Sequence, residues 1–498
     1  MKLFAFLSLV LSILNAQQSQ ITILHWNDLH SQNLPFQVRS KNRTTNTDTT
    51  FFVGGSATLA SYIKKHKSES PNVLVLNAGD DFQGSPISTI TKGRSQIELM
   101  NLLSPDAMEL GNHEFDYGRE NVTASMNACK FPVLAANLFD AKSKKNFADT
   151  YTVKTINNVK IGVIGLITEE LHSLSLPENV KNLEVKKLSE TVNAIIPELK
   201  KRNVDLIIAL THVGVEGDSM LALASPDIDI IVGGHSHTPL FKPKRVNGIL
   251  ITQAGSRGRW LGKIDITVDV QRDTVVKSYS ELIECRSADV TPDPIVATKV
   301  AELESLAAKE LDEQIGELRS DWLRNSKGES NLGNWICDAM REYAKTDIAI
   351  QNSGGIRKEL LAGPIKVRDL WEISPFGNLL VTFSVDGATL RAMMQNQVSM
   401  SDDFCQVSGL TIVYKNNNGT LLLHNLKVHN QLVIDTKKYS IVTNNYVAAQ
   451  SKKYFNIEIP ASDITPLNIT DRDILLEAVK KQKVINSSIE GRIKETEE

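Results

Sequence analysis

The chain lacks a surplus of charge of either sign, and it lacks long apolar runs beyond its first residues. It carries 55 Lys and Arg residues against 58 Asp and Glu residues, a net charge of −3 at pH 7. Nucleic-acid-binding proteins normally concentrate a basic surplus on one face, so we expect no nucleic-acid partner. After the N-terminus no segment approaches the roughly 20 apolar residues that a membrane-spanning helix needs, so we expect no membrane span.

Cysteine is also scarce, and the few cysteines are far apart. None forms a Cys-x-x-Cys pair, which argues against a structural zinc site. Two alternatives remain for these residues, buried thiols or disulfide bonds, and full oxidation would allow three pairings. The four cysteines are Cys129, Cys285, Cys337 and Cys405.

The first residues have the layout of a secretory signal peptide, which we place at residues 1–16. Lys2 precedes an apolar run over 3–14, and Ala16 is the expected cleavage site. The charged C-terminus lacks the apolar tail of about 10–20 residues that a lipid-anchor signal requires, so we expect a secreted, extracellular protein without a membrane anchor. Glycosylation acceptors, which would make it a glycoprotein in a eukaryotic secretory route, occur at Asn42, Asn121, Asn418, Asn468 and Asn486.

Length and periodicity predict two α/β domains. A chain of 498 residues exceeds what one hydrophobic core usually serves. Apolar runs alternate with longer mixed segments up to residue 289, as in a parallel sheet covered by helices on both faces. Helical spacing after Asp293 predicts a connecting helix over 293–318, and strand-like runs at 378–385 and 409–414 indicate the second domain. The predicted strands of the first domain lie at 21–24, 72–76, 160–166, 204–210, 228–232 and 248–253.

Polar residues follow these apolar runs directly. Open α/β sheets bind ligands outside the carboxyl ends of their strands, so we expect these side chains to converge in one crevice. Their Asp, Asn and His side chains suit borderline divalent metals, and their number exceeds the three or four ligands that one ion needs. The pattern therefore predicts two ions sharing a carboxylate. The donors are Asp28, His30, Asp80, Asn112, His212, His235 and His237.

The motifs around these donors resemble the 5′-nucleotidase/apyrase family. They are Asp28-Leu-His30, Gly79-Asp80-Asp81, Gly111-Asn-His-Glu114, Gly233-Gly-His-Ser-His237, Asn352-Ser-Gly-Gly-Ile-Arg357 and Ser374-Pro-Phe-Gly377. The resemblance implies a four-layered α/β/β/α metallophosphatase domain over 17–289, a linker helix over 290–308, and a C-terminal α/β substrate-binding domain over 309–498. In the family, the second domain rotates to bring nucleotide to the metals.

The resemblance also implies roles for individual residues. One metal would be held by Asp28, His30 and His237, the other by Asn112, His212 and His235, with Asp80 between them. Zinc is the leading expectation, and calcium, magnesium and manganese remain open. His113 and Asp116 would form the catalytic dyad. Nucleotide would be bound by Asn352, Arg357, Phe376 and Tyr446.

The chain departs from the family pattern in three places. Where relatives carry an Asp that binds the ribose hydroxyls, this chain has Gln450-Ser-Lys-Lys-Tyr454, so the ribose contact is expected to differ. Relatives often carry a phosphate-binding Arg near the position of Ser326. In this chain the only basic residues close to that position are Arg324 and Lys327. The family partner of Cys337 would fall near Ala349, so that disulfide cannot form.

These observations predict a secreted metal-dependent nucleotide phosphohydrolase of the apyrase or 5′-nucleotidase type. Its expected partners are the extracellular nucleotides ATP, ADP and AMP, hydrolysed by in-line attack of a metal-bound hydroxide. Di- and triphosphates are the leading substrates. The alternative is a catalytically weak secreted protein that binds nucleotides or engages a receptor.

Overall fold

The computed structural model describes residues 18–41, 48–306, 308–400 and 404–496. The predicted signal peptide and the acceptor Asn42 therefore lie outside the described residues. None of the described helices combines the length and the apolar character needed to cross a bilayer.

The first part of the chain alternates strands and helices, as its apolar runs predict. Its strands are β1 (Gln18–Trp26), β2 (Phe36–Lys41), β3 (Asp48–Val53), β4 (Val73–Asn77), β5 (Ala107–Glu109), β6 (Val133–Leu134), β7 (Leu138–Asp140), β8 (Lys145–Asn146), β9 (Tyr151–Ile156), β10 (Val159–Ile167), β11 (Leu183–Val185), β12 (Leu206–His212), β13 (Ile230–Gly233), β14 (Lys244–Val246), β15 (Ile249–Gln253), β16 (Trp260–Asp269) and β17 (Thr274–Glu284). Its α-helices are α1 (Ser56–Glu69), α2 (Pro86–Thr91), α3 (Arg94–Leu103), α4 (Arg119–Ala128), α5 (Leu171–Leu174), α6 (Leu188–Lys201) and α7 (Gly214–Ala224). All six predicted strands of this region are present.

Two six-stranded sheets form the centre of the first domain. One has the order β17-β16-β1-β4-β5-β6 and the other β14-β15-β13-β12-β10-β9. Apolar side chains from both sheets meet in one buried cluster, which explains why strands such as β12 are buried along their whole length. Helices α1 and α3 pack on the outer face of the first sheet, and α6 and α7 on that of the second. The result is the predicted α/β/β/α arrangement.

The connecting helix is shorter than its spacing predicts. Helix α8 (Pro294–Ser305) begins at Asp293, whose carboxylate accepts hydrogen bonds from the first amides, and Pro294 suits the first helical position. It is followed by the short α9 (Ala308–Leu311) and then by a strand, β18 (Gln314–Leu318). The prediction of helix through residue 318 was therefore wrong. Ile315 and Leu318 continue the apolar spacing, but they belong to strand β18 and are buried in the core of the second domain.

The second domain contains, after β18, the strands β19 (Ile348–Asn352), β20 (Gly363–Lys366), β21 (Leu379–Asp386), β22 (Cys405–Ser408), β23 (Leu410–Asn417), β24 (Thr420–Val428), β25 (Gln431–Leu432), β26 (Lys438–Asn444), β27 (Thr465–Thr470), β28 (Val484–Ile485) and β29 (Ile493–Glu495). Its helices are α10 (Asn331–Ala344), α11 (Val367–Ile373), α12 (Gly387–Ser399), α13 (Asn445–Ala449), α14 (Ser451–Phe455) and α15 (Asp471–Gln482). The central sheet of this domain has five strands in the order β22-β19-β26-β21-β27. Apolar clusters cover both faces of this sheet, with α10 and α15 on one side and α12 on the other.

The cysteines form no disulfide bond within the described part of the chain. Cys129, Cys285 and Cys337 carry free thiols, and burial raises the pKa of Cys129 to about 12. Cys405 is buried. Cys285 and Cys337 are therefore buried thiols, one of the two alternatives that the sequence left open, whereas Cys129 is a partly buried thiol.

Candidate metal centre and substrate pocket

The predicted metal ligands all lie at or just beyond the carboxyl ends of buried strands. Asp28 and His30 follow β1, Asp80 follows β4, Asn112 follows β5, His212 ends β12, and His235 and His237 follow β13. Most of them adopt the left-handed backbone region, which non-glycine residues seldom enter. Residues held there cluster at functional sites, where the surrounding structure enforces the conformation. The positive φ values are 50° at Asp28, 48° at His30, 61° at Asp80, 81° at His235 and 54° at His237.

A first group of donors consists of Asp28, His30, Asp80 and His237, whose ligand atoms lie within 4.8 Å of one another. His30 Nε2 is 2.9 Å from His237 Nε2, and His237 Nε2 is 3.2 Å from Asp28 Oδ1. Burial, His237 and Arg357 hold the pKa of His30 well below its usual range. A neutral imidazole is the form that binds a metal, so the pKa of His30 fits a ligand role.

A second group consists of Asp80, His212 and His235, so Asp80 is common to both. His212 Nδ1 donates to the carbonyl of Ala78 at 2.6 Å, which leaves Nε2 facing Asp80 Oδ2 at 3.1 Å. Burial lowers the pKa of His212, but the Asp80 carboxylate outweighs it and raises that pKa to about 10. The position between these two side chains therefore favours a positive charge, which a metal ion supplies as well as a proton does.

Asn112 provides the clearest test of whether metal fits this centre. The residue is 4% exposed, and within the described residues its buried Oδ1 atom has no hydrogen-bond partner. A buried acceptor without a donor costs free energy unless a ligand satisfies it. Carboxylate and amide oxygens together with imidazole nitrogens are a donor set that suits two divalent ions. The residues present therefore fit the metals that the fold implies.

His113 and Asp116 lie on a short 3-10 helix directly after Asn112. His113 Nδ1 donates to Asp116 Oδ2 at 2.9 Å, and the backbone amide of His113 donates to Asp80 Oδ1 at 2.9 Å. Burial lowers the pKa of His113, but Asp116 and Asp80 outweigh it and raise the pKa overall. The His113 imidazole thus lies beside the two groups of donors, and its surroundings stabilise its charged form.

The second domain places the predicted nucleotide-binding residues in the same cavity, which has a volume of about 320 Å³. Arg357 Nη2 donates to His30 Nε2 at 3.2 Å, so its guanidinium contacts the first group of donors. The Phe376 ring lies 5.6 Å from the His113 ring, centroid to centroid. The cavity is lined by Asp80, Asn112, His113, Asp116, His235 and His237 of the first domain and by Asn352, Arg357, Phe376 and Tyr446 of the second. The remaining metal-site residues, Asp28, His30 and His212, are buried behind them.

Comparisons with known proteins agree with this arrangement. A model of the calcineurin-like phosphoesterases matches residues 21–239, and a model of the 5′-nucleotidase C-terminal domain matches residues 310–457. The 5′-nucleotidase of Diplobatis ommata is 31% identical over 537 residues, which cover 97% of this chain and 91% of that protein. The chain belongs to the 5′-nucleotidase family.

Two further similar proteins differ in how much of their own length this chain covers. The structure of a 5′-nucleotidase precursor from Thermus thermophilus has a TM-score of 0.87 at 26% identity, covering 96% of this chain and 100% of that one. Endonuclease YhcR of Bacillus subtilis (strain 168) is 30% identical over 95% of this chain, yet the chain spans 41% of that protein. The predicted fold, a metallophosphatase domain followed by a 5′-nucleotidase domain, is confirmed.

The segment that departs from the family pattern forms a short helix at the contact between the two domains. Gln450 Nε2 donates to the carbonyls of His172 and Ser175, each at 3.1 Å, and the Tyr446 hydroxyl donates to the carbonyl of Ser173 at 3.0 Å. Of the two lysines in this segment, Lys453 lines the cavity. The Asn352 side chain is held by protein partners, because its amide donates to the Tyr454 hydroxyl at 3.3 Å.

One residue with a structural role in the site was not identified from the sequence. The residue Glu114 is 1% exposed, and its carboxylate accepts hydrogen bonds from the backbone amides of Asp80, Asp81 and Gly111, at 3.0, 2.7 and 2.7 Å. Burial and Asp80 raise its pKa to about 7. Glu114 thereby joins the loop of Asp80 to the loop of Asn112. Its place in the Gly111–Glu114 motif was the available signal, but a motif does not show which amides a carboxylate binds.

Proposed function

We propose that this chain releases phosphate from nucleotides by metal-dependent hydrolysis. The observation that carries the proposal is the single cavity in which the metal-binding side chains and Arg357 meet His113, Phe376 and Tyr446. A phosphate group suits the first part of this cavity, and a planar base suits the aromatic part. The similarity to 5′-nucleotidases, such as that of Diplobatis ommata, supports the same substrate class.

The two groups of donors would hold two divalent ions, with Asp80 shared between them. When bound, such ions polarise the phosphoryl group and lower the pKa of water enough to make it a nucleophile near neutral pH. The Asp80 carboxylate is suited to sharing because it belongs to both groups of donors. The His113 amide, which donates to its Oδ1 atom at 2.9 Å, fixes its orientation, and its Oδ2 atom faces His212 Nε2 at 3.1 Å.

The other residues of the cavity would bind and orient the substrate. Arg357 offers a planar guanidinium that matches the geometry of phosphate oxygens. His113, held by Asp116, is placed to donate a hydrogen bond from its other ring nitrogen to a phosphoryl or leaving-group oxygen. Phe376 and Tyr446 would hold the base by stacking.

We further propose that the chain is secreted and that it acts on extracellular nucleotides. The signal-peptide pattern of residues 1–16 supports this location. Both an apyrase, which would use di- and triphosphates first, and a 5′-nucleotidase, which would use monophosphates, are consistent with the cavity. Lys453 supports the first of these, because a second cation in the cavity would attract additional phosphate charge.

Phosphate release by the purified mature chain tests the proposed function. ATP, ADP, AMP and a nucleotide sugar would each be supplied with zinc, calcium, magnesium or manganese, and a chelator-treated sample would serve as the control. We expect release that depends on a divalent ion. Nucleotide binding without release under any of these ions would instead support the alternative of a binding protein.

A further inference from the structure

The turn between β15 and β16 is fixed to the loop that carries a metal ligand. Asn27 Oδ1 accepts a hydrogen bond from the amide of Ala254 at 2.8 Å, and Asn27 Nδ2 donates to the carbonyl of Gly255 at 2.6 Å. The amide of Arg257 donates to the carbonyl of Asp28 at 2.7 Å. Three hydrogen bonds therefore hold the backbone of this turn against the residues at the end of β1, and Arg257 has a fixed position relative to Asp28.

From this turn, the side chain of Arg257 crosses to the second domain. Its Nη2 atom donates to the backbone carbonyl of Arg357. Arg324 Nη1 lies 3.5 Å from the same oxygen, on the second-domain side. The guanidinium of Arg357 in turn reaches His30 Nε2 at 3.2 Å. Arg257 thus holds the backbone of the residue whose side chain touches the metal centre.

The charges around Arg257 are unusual for a half-buried guanidinium. Its side-chain hydrogen bond goes to a neutral carbonyl, and within the described residues no salt bridge joins it to a carboxylate. The like charge of Arg357 repels it, whereas Glu372 and Glu359 attract it. A phosphate bound by Arg357 would add negative charge beside both guanidinium groups and reduce their repulsion.

We propose that Arg257 is a positioning residue that holds Arg357 at the metal centre and makes this arrangement of the two domains more favourable when phosphate is bound. The inference rests on the proposed function, since it assigns Arg257 a part in binding the phosphate of the substrate. Arg257 acts through Arg357: its contact is to the backbone of that residue, and it is absent from the residues that line the cavity.

The test compares Arg257→Met with Arg257→Lys and with a matched control, Arg259→Met. Arg259 lies in the same turn, but its guanidinium pairs with Glu284 at 2.9 Å. Two quantities are measured for each variant: KM and kcat for phosphate release, and the affinity for inorganic phosphate by isothermal titration calorimetry. Thermal unfolding verifies that each variant is folded.

We expect Arg257→Met to raise KM and to weaken phosphate binding by about tenfold, the size of one lost charge-assisted hydrogen bond, with kcat changed by less than about threefold. Arg257→Lys should recover part of this loss because it restores the charge and a donor. Arg259→Met should change both quantities by less than about twofold. If Arg257→Met does not fold, Arg257→Lys carries the test, with an expected loss of about threefold against the same control.

A double variant separates positioning from general stabilisation. In a chain that already carries Arg357→Met, adding Arg257→Met should change phosphate affinity by less than about twofold, because the residue through which it acts is gone. Equal KM and equal phosphate affinity in the wild type and the folded Arg257 variants would overturn the inference. A wild-type chain that releases no phosphate from any nucleotide would refute the proposed function instead, and the calorimetric comparison would still decide the role of Arg257.

Discussion

Replacement of Glu114 by Gln should destabilise the first domain and weaken metal binding. The carboxylate accepts three backbone amides, with Oε2 facing those of Asp80 and Gly111 and Oε1 facing that of Asp81. Glutamine keeps the shape but has one acceptor oxygen, so at least one of these amides would face an NH2 group. An unsatisfied buried donor costs about 1–3 kcal/mol, which is the expected loss in the free energy of unfolding.

The assay is denaturant unfolding of the chelator-treated protein, which removes the contribution of bound metal to stability. A change in the transition midpoint at constant slope gives the difference in stability. Glu120→Gln is the matched control, because Glu120 is an exposed glutamate in the first turn of α4, and its loss should stay below about 1 kcal/mol. Metal affinity should also fall in Glu114→Gln, since the loops of Asp80 and Asn112 are no longer joined by all three bonds. Stability and metal affinity equal to those of the control would refute this account of Glu114.

Three further predictions concern the substrate pocket. His113→Ala should lower turnover by about 10²–10⁴-fold with metal content unchanged, the usual size of a proton-transfer or charge-stabilising role, and loss of metal in this variant would make His113 a ligand instead. Phe376→Ala and Tyr446→Ala should each weaken nucleotide binding by about 1–3 kcal/mol, the scale of base stacking, and unchanged affinity in calorimetry would mean that these rings only pack. Lys453→Ala should reduce the kcat/KM for ATP more than that for AMP, whereas Lys452→Ala, which changes a lysine outside the cavity lining, should affect both substrates equally and slightly. Equal losses for ATP and AMP in Lys453→Ala would show that this lysine is merely solvated.

The positions of the metal-site residues could be predicted because two local signals coincide in the sequence. Each apolar run is long enough to be a buried strand, and the polar residue follows at its end, where a parallel sheet gathers its ligands. His212 shows how direct this inference is, since it is the last residue of β12. Asp80 and His235 follow their strands by only a few residues. The sheet therefore fixes where these side chains meet.

Other features depend on contacts that no local pattern records. The apolar spacing after Ser305 is compatible with helix or strand, and the pairing of β18 with β20 and β28 decides for the strand. Glu114 and Arg257 act through backbone amides and carbonyls of distant loops, which every residue possesses and which leave no trace in the sequence. The free state of Cys129, Cys285 and Cys337 likewise depends on where the fold places them.

The most direct test of the central claim is the amount of metal bound per chain, measured together with phosphate release in the wild type and in Asp80→Ala. If Asp80 is shared by two ions, the wild type should bind about two equivalents and lose its activity with them on chelation. Asp80→Ala should abolish release, because removal of the shared carboxylate leaves the two cations with their mutual repulsion unscreened. Near-normal phosphate release by Asp80→Ala, or by the chelated wild type, would contradict the account.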